Sequence, residues 1–271
     1  MKKRKLTAVF VALSLLFVLT SFPAQAASQS NASVRIVDGL AFAGTVSNEE
    51  IADITPEERI VLEQEVSGTI ISTRTIPYGS KPGELLPSLH NRAIASSSSA
   101  PVTTRMTISR ESNYSTAYGS RPSFKFVMTA TWSEDRDNDN NFTDFIGMHW
   151  MDDFILINNT QSAYTAYNNA SGSIRFDYNC STQDEVSGSC VSFAIDIEAS
   201  DYMIVLTATV YTPDNTITDI WAAGAYTHCG IDYSITEVAF NLSVPPGFTF
   251  AAGPNAVNTT YTAYDNATYN P

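Results

Sequence analysis

Between Phe124 and Ile157 the chain alternates apolar and polar residues so regularly that few folds can accommodate it. The stretch reads FKFVMTATW, then the polar run SEDRDNDNN, then FTDFIGMHW and MDDFILI. A period of two puts successive side chains on opposite faces of a strand. Phe124, Phe126, Met128, Ala130 and Trp132 therefore share one face, and Lys125, Thr129 and Thr131 the other. Asn and Asp clusters mark the turns between such strands. The stretch reads as the central antiparallel meander of an all-β domain.

The pattern persists toward the C-terminus. Strand-like runs follow one another from Val102 to Tyr264, among them 163–167, 174–178, 191–197, 203–211, 217–226, 231–244 and 260–264. Short strands separated by turn signals favour an antiparallel β-sandwich over parallel βαβ units. Trp132, Trp150 and Trp221 each fall at or within a strand, and are expected to fill the space between two sheets.

Upstream the grammar differs. Ser47-Asn48-Glu49-Glu50 and Thr55-Pro56-Glu57-Glu58 are capping boxes, the second with Pro at the first helical position. They predict a short helix over 56–66 with Arg59, Leu62 and Val66 on one side and Gly68 as its stop. Strands are expected at 34–37, 41–46 and 69–76. Residues 77–101 contain Pro77, Pro82, Pro87, Pro101 and the run Ser96–Ser99, the composition of an exposed connection. The expected plan is a leader at 1–26, a small α+β segment at 27–76, a linker at 77–101 and a β-sandwich-like domain at 102–271. The linker is either a surface loop of one fold or the point at which residues 27–95 leave as a pro-segment.

The leader has the signal-peptide order: cationic Lys2–Lys5, apolar Leu6–Phe22, then Ala24-Gln25-Ala26. Cleavage after Ala26 with no lipid-attachment cysteine or apolar tail predicts a secreted, extracellular protein without a stable membrane anchor. Residues 1–26 hold four of the 15 Lys and Arg and none of the 28 Asp and Glu, so the processed chain carries −17 (11 against 28). Such a surface repels nucleic acid, which is bound through cationic contacts.

Several patterns bear on chemistry. Asp135, Asp137 and Asp139, with Asn141, follow the i, i+2, i+4 spacing of a calcium loop, the one cofactor the sequence suggests. Asn140 replaces the glycine and Ile146 the bidentate glutamate of an EF-hand, so a solvated Asp/Asn turn explains the spacing equally well. Asp152 or Asp153, paired with Glu134, Asp144 or Glu198, supplies the two carboxyls a glycoside hydrolase needs. His228 beside Cys229 suggests a thiol nucleophile, but neighbours on a strand point to opposite faces. No H-x-H, G-x-S-x-G or phosphate-loop pattern occurs.

Cys180 and Cys190 bracket a turn-like segment, and a hairpin there would allow a disulfide worth roughly 3 kcal/mol, leaving Cys229 over. Pairs with Cys229 remain open. Finally, Tyr164-Thr-Ala-Tyr167-Asn-Asn-Ala and Tyr261-Thr-Ala-Tyr264-Asp-Asn-Ala echo one another. Tyr164, Tyr167, Tyr261 and Tyr264 are candidates for equivalent binding surfaces, because tyrosine offers a stacking face and a hydroxyl at small entropic cost.

The block formed by 129–132 (TATW) and 142–156 (FTDFIGMHWMDDFIL) resembles secreted β-rich proteins of bacilli, and the leader resembles those of Gram-positive bacteria. In size the chain is similar to the large heat-labile bacteriocins of thermophilic bacilli. The resemblance implies only that antibacterial activity is to be tested. The export signal, the full-sized β core and the lack of a convincing catalytic set point to a non-enzymatic effector or binding protein acting on the surface of other bacteria, on a protein or glycan. A carbohydrate- or cell-wall-binding protein and a glycoside hydrolase stand beside it.

Overall fold

The computed structural model describes residues 33–76, 102–132, 143–168, 174–177, 180–187, 189–197, 201–229, 237–241, 247–251 and 258–269. The chain begins with β1 (Val34–Val37), β2 (Leu40–Ala43), α1 (Asn48–Ala52), α2 (Pro56–Glu65) and β3 (Thr69–Ile76). It continues with β4 (Val102–Thr116), β5 (Gly119–Trp132), β6 (Thr143–Trp150), β7 (Ile155–Leu156), β8 (Ser162–Asn168) and β9 (Ile174–Asp177). The remaining strands are β10 (Cys180–Ser187), β11 (Cys190–Asp196), β12 (Asp201–Tyr211), β13 (Asp219–Cys229), β14 (Glu237–Asn241), β15 (Gly247–Ala251) and β16 (Asn258–Thr268).

These strands build an all-β sandwich. One sheet runs β1-β2-β3-β4-β5-β12-β8-β9 with β7 beside β12, and the facing sheet runs β10-β11-β6-β13-β16. Of the described pairings only β2 with β3 is parallel. The alternation in 124–132 selects the buried face as expected: Phe124, Phe126, Met128, Ala130 and Trp132 meet Ile146, Met148, Trp150, Phe193 and Tyr226 of the other sheet. Each large side chain so buried stabilises by about 1.5–3 kcal/mol.

The expected meander is not formed. β5 belongs to the first sheet, β6 lies in the second between β11 and β13, and β7 returns to pair with β12. Alternation fixes which face of a strand is buried but not which sheet receives it.

The N-terminal segment is part of the same body. β3 pairs with β4 along its length, and the chain from Ala32 onward forms one compact unit. Both capping boxes form. The helices cover the outer face of the first sheet, where Leu40, Phe42, Ile54, Val61 and Leu62 pack with Val127, Tyr164, Met203 and Val205. A pro-segment reading of 27–95 would strip this second core from the sheet, exposing apolar surface. The linker at 77–101 lies outside the described residues.

The helix buries Glu58, Val61 and Leu62 and leaves Ile60 exposed; of the expected side Leu62 is buried and Arg59 and Val66 are half-buried, so the buried face is rotated toward Glu58 and Val61. The reason is Arg105 on β4, whose Nε donates to Glu58 Oε2 at 3.1 Å. Glu58 Oε1 accepts from Thr129, and Lys125 Nζ donates to Glu65 Oε2 at 2.6 Å. The polar face of the alternating stretch is thus turned to the helices, not to water. Gly68 follows an extended Val66 cap, and is required because a β-carbon there would overlap the Arg110 carbonyl oxygen.

Candidate functional site

On β13 the even-numbered residues Ile220, Ala222 and Tyr226 enter the core. Trp221 therefore points away from it, and does not fill the space between the sheets as its neighbours Trp132 and Trp150 do. The register sets Ala223 between Tyr264 of β16 and His149 of β6. The indole of Trp221 contacts both flanking rings: it meets His149 edge-on at 5.1 Å and 79°, and lies beside Tyr264 at 6.4 Å and 30°. It thus leans over Ala223, whose small side chain leaves room for it.

The result is an aromatic strip across three strands. His149 is buried at its back, while Trp221 and Tyr264 are half-buried and reach the surface. Asn266 lies opposite Trp221 and is exposed, Thr262 precedes Tyr264 on the same face, and exposed Asp219 accepts from Thr268 Oγ1 at 3.4 Å. The Met151–Phe154 turn, with exposed Asp152 and Asp153, closes the same end of the sheet.

Burial lowers the His149 pKa to about 4, against a smaller raising effect of the Asp152 carboxylate, so the imidazole is neutral at neutral pH. A neutral ring is a rigid wall behind the indole rather than a charge.

The other candidate residues are dispersed. Tyr164 is fully buried and its hydroxyl donates to Glu65 Oε1 at 2.8 Å. Tyr261 is buried and stacks on Tyr226 at 5.8 Å. Tyr167, half-buried, lies opposite Asp201 on the other sheet. Of the four tyrosines only Tyr264 joins the strip. Two tyrosines three apart on a strand face opposite ways, so neither echo makes one surface.

The expected Cys180–Cys190 bond does not fit the register. β10 and β11 form the hairpin, but Cys180 faces Ile195 while Cys190 faces Ser187, just past the turn. Five residues of strand, about 16 Å, separate the paired positions, against an upper limit of roughly 7 Å between bonded Cα atoms. Cys190 instead lies beside His149 on the neighbouring strand. His228 and Cys229 end β13 opposite Thr259 and Asn258.

Asp144 is sealed in the core, accepting from the Tyr226 hydroxyl, whereas Asp152 and Asp153 sit on a surface turn. These carboxyls do not flank one cleft, which removes Asp144 as a partner for a hydrolytic pair. Glu134 and Glu198 lie outside the described residues, as do Asp135, Asp137, Asp139 and Asn141 of the calcium pattern. Among the described residues no cluster of three or more His, Cys, Asp or Glu is placed to hold a metal.

No family model matches the chain, and no curated protein matches it. Solved structures to which the chain is similar include the collagen-binding subdomain of the Enterococcus faecalis surface protein ACE. It is 6% identical, with 52% of this chain and 86% of that one covered at a TM-score of 0.31. The collagen-binding domain of a Staphylococcus aureus adhesin is also 6% identical, covering 53% and 88% at 0.29. The major pilin subunit of Bacillus cereus is 8% identical, covering 62% and 41% at 0.34.

Proposed function

We propose that this is an extracellular binding protein whose Trp221–Tyr264 strip receives the flat face of a sugar ring in a cell-surface glycan. The observation that carries the reading is a tryptophan and a tyrosine in ring contact at 6.4 Å, both half-buried, on the face of the second sheet turned away from the core. Burial would give both rings more apolar contact, yet both reach solvent. Polar Asn266, Thr262 and Asp219 stand around them, as a ligand with many hydroxyls requires.

The signal-peptide order of residues 1–26 supports export. No helix of the described residues is long and apolar enough to cross a membrane.

A glycan array probed with the purified protein and with Trp221→Ala tests the proposal. The expected result is binding that falls about tenfold or more in the variant, the loss typical of an aromatic anchor. Equal binding by the two proteins would overturn it. The antibacterial reading drawn from the resemblance is a separate proposal, checked by clearing of bacterial lawns. No residue of the strip speaks for it.

A further inference from the structure

The two sheets differ in charge as well as in sequence. Every described Lys and Arg lies on the first sheet or on the segment that packs against it: Arg35, Arg59, Arg74, Arg105, Arg110, Arg121, Lys125 and Arg175. Arg175 on β9 is the last cation in the chain. The five strands of the second sheet contain none; of their carboxyl groups Asp196 and Asp219 are exposed, whereas Asp144 and Asp265 are buried on the core side.

Within that sheet, the end that bears the strip also bears exposed carboxylates. Asp219 is two residues before Trp221 on the same face, and Asp152 and Asp153 occupy the adjoining turn. An indole face and a nearby carboxylate attract the same kind of group, because the ring quadrupole and the anion both favour a cation.

We infer that the glycan bound by the strip is an amino-sugar polymer bearing free ammonium groups. The aromatic rings take the sugar face, and Asp219 takes the ammonium. This rests on the stacking reading above and adds the charge of the ligand to it. Anionic wall polymers of the polyglycerol-phosphate type fit this face poorly, since none of the described Lys and Arg lies on these five strands and the nearest cation to Asp219, Arg110, reaches over Tyr269 from the first sheet.

Three probes test the inference by calorimetry: a glucosamine oligomer, the N-acetylated oligomer of equal length, and polyglycerol phosphate. The expected order is glucosamine oligomer tightest, N-acetylated oligomer weaker by about fivefold or more, and no binding of polyglycerol phosphate. Added salt should weaken only the first. Asp219→Asn, an exposed substitution that spares the core, should bring the first down to the second. Trp221→Ala should weaken both.

If the acetylated oligomer binds as tightly, or Asp219→Asn leaves the preference intact, the charge assignment is overturned while the stacking reading stands. If polyglycerol phosphate binds, the charge assignment is equally overturned. If neither sugar binds while the array shows Trp221-dependent binding of another glycan, the amino-sugar assignment is overturned and the stacking reading stands; if Trp221→Ala changes neither sugar's binding, the stacking reading fails and takes the charge assignment with it.

Discussion

Glu58 of α2 and Arg105 of β4 form an ion pair at 3.1 Å in which both side chains are almost wholly buried. The arginine also reaches the Asp53 carbonyl through Nη2 at 2.5 Å and Thr73 through Nη1, and the glutamate is held in turn by Thr129. The helices are thereby fixed to the middle of the first sheet by a satisfied polar network. Removing Glu58 leaves the buried guanidinium with the largely exposed Asp53 carboxylate, at 3.3 Å, as its remaining counter-charge. Glu58→Ala is expected to destabilise by about 3–5 kcal/mol, whereas replacing both residues by apolar ones of similar volume should cost far less. Urea unfolding of the two variants checks this, and a mild effect of Glu58→Ala alone would show the pair to be dispensable.

Two glycines make a second comparison. A β-carbon on Gly68 would overlap the Arg110 backbone carbonyl, which can move only if β4 moves. A β-carbon on Gly224 would chiefly meet the Met128 and Met106 side chains across the sandwich, and these can swing away. Gly68→Ala should therefore lower Tm more than Gly224→Ala, even though Gly224 is the more central residue. Thermal unfolding of both reads the order directly.

The hairpin register makes a third prediction. A non-reducing digest of the protein should contain no peptide pair joining Cys180 to Cys190. Finding that pair would mean that the β10–β11 register is wrong.

Much of this architecture is legible in the amino-acid sequence, and what is not has identifiable physical causes. Segment 124–132 declared its buried face because apolar and polar residues strictly alternate there. The capping boxes at Ser47 and Thr55 were legible because they are local contacts three residues apart. Burial of Glu58 was not, since its partner Arg105 is far along the chain and composition cannot foresee a pair. Trp221 was misplaced for a different reason: Ile220-Trp221-Ala222-Ala223 is apolar at both parities, so alternation carries no inside or outside. The opposite faces of Tyr261 and Tyr264, by contrast, follow from their spacing alone.

Two buried titratable groups set opposing pH responses. Asp265 on β16 accepts from Ser72 Oγ at 2.6 Å and faces Arg74 Nε at 3.3 Å. Burial nonetheless pushes its pKa up to about 7, with the Ser72 hydroxyl, Arg74 and the Asn266 amide opposing and Glu50 adding to the rise. The folded state then holds a proton that the unfolded state releases near 3.8, so this group's contribution is lost as pH rises from about 4 to about 7. His149 acts in the other direction. Its folded pKa of about 4 lies below the unfolded 6.5, so its contribution is full above 6.5 and is lost as pH falls toward 4.

Each group contributes a slope of up to about 1.4 kcal/mol per pH unit, of opposite sign, and between pH 4 and 6.5 they largely cancel. Removing one should expose the other. Relative to the parent protein, Asp265→Asn should gain stability with rising pH across this window, and His149→Gln should lose it. Denaturant titrations at pH 4.5, 5.5 and 6.5, each read as variant minus parent, separate the two signs. Parallel curves for either variant would place that residue's proton outside the folding equilibrium.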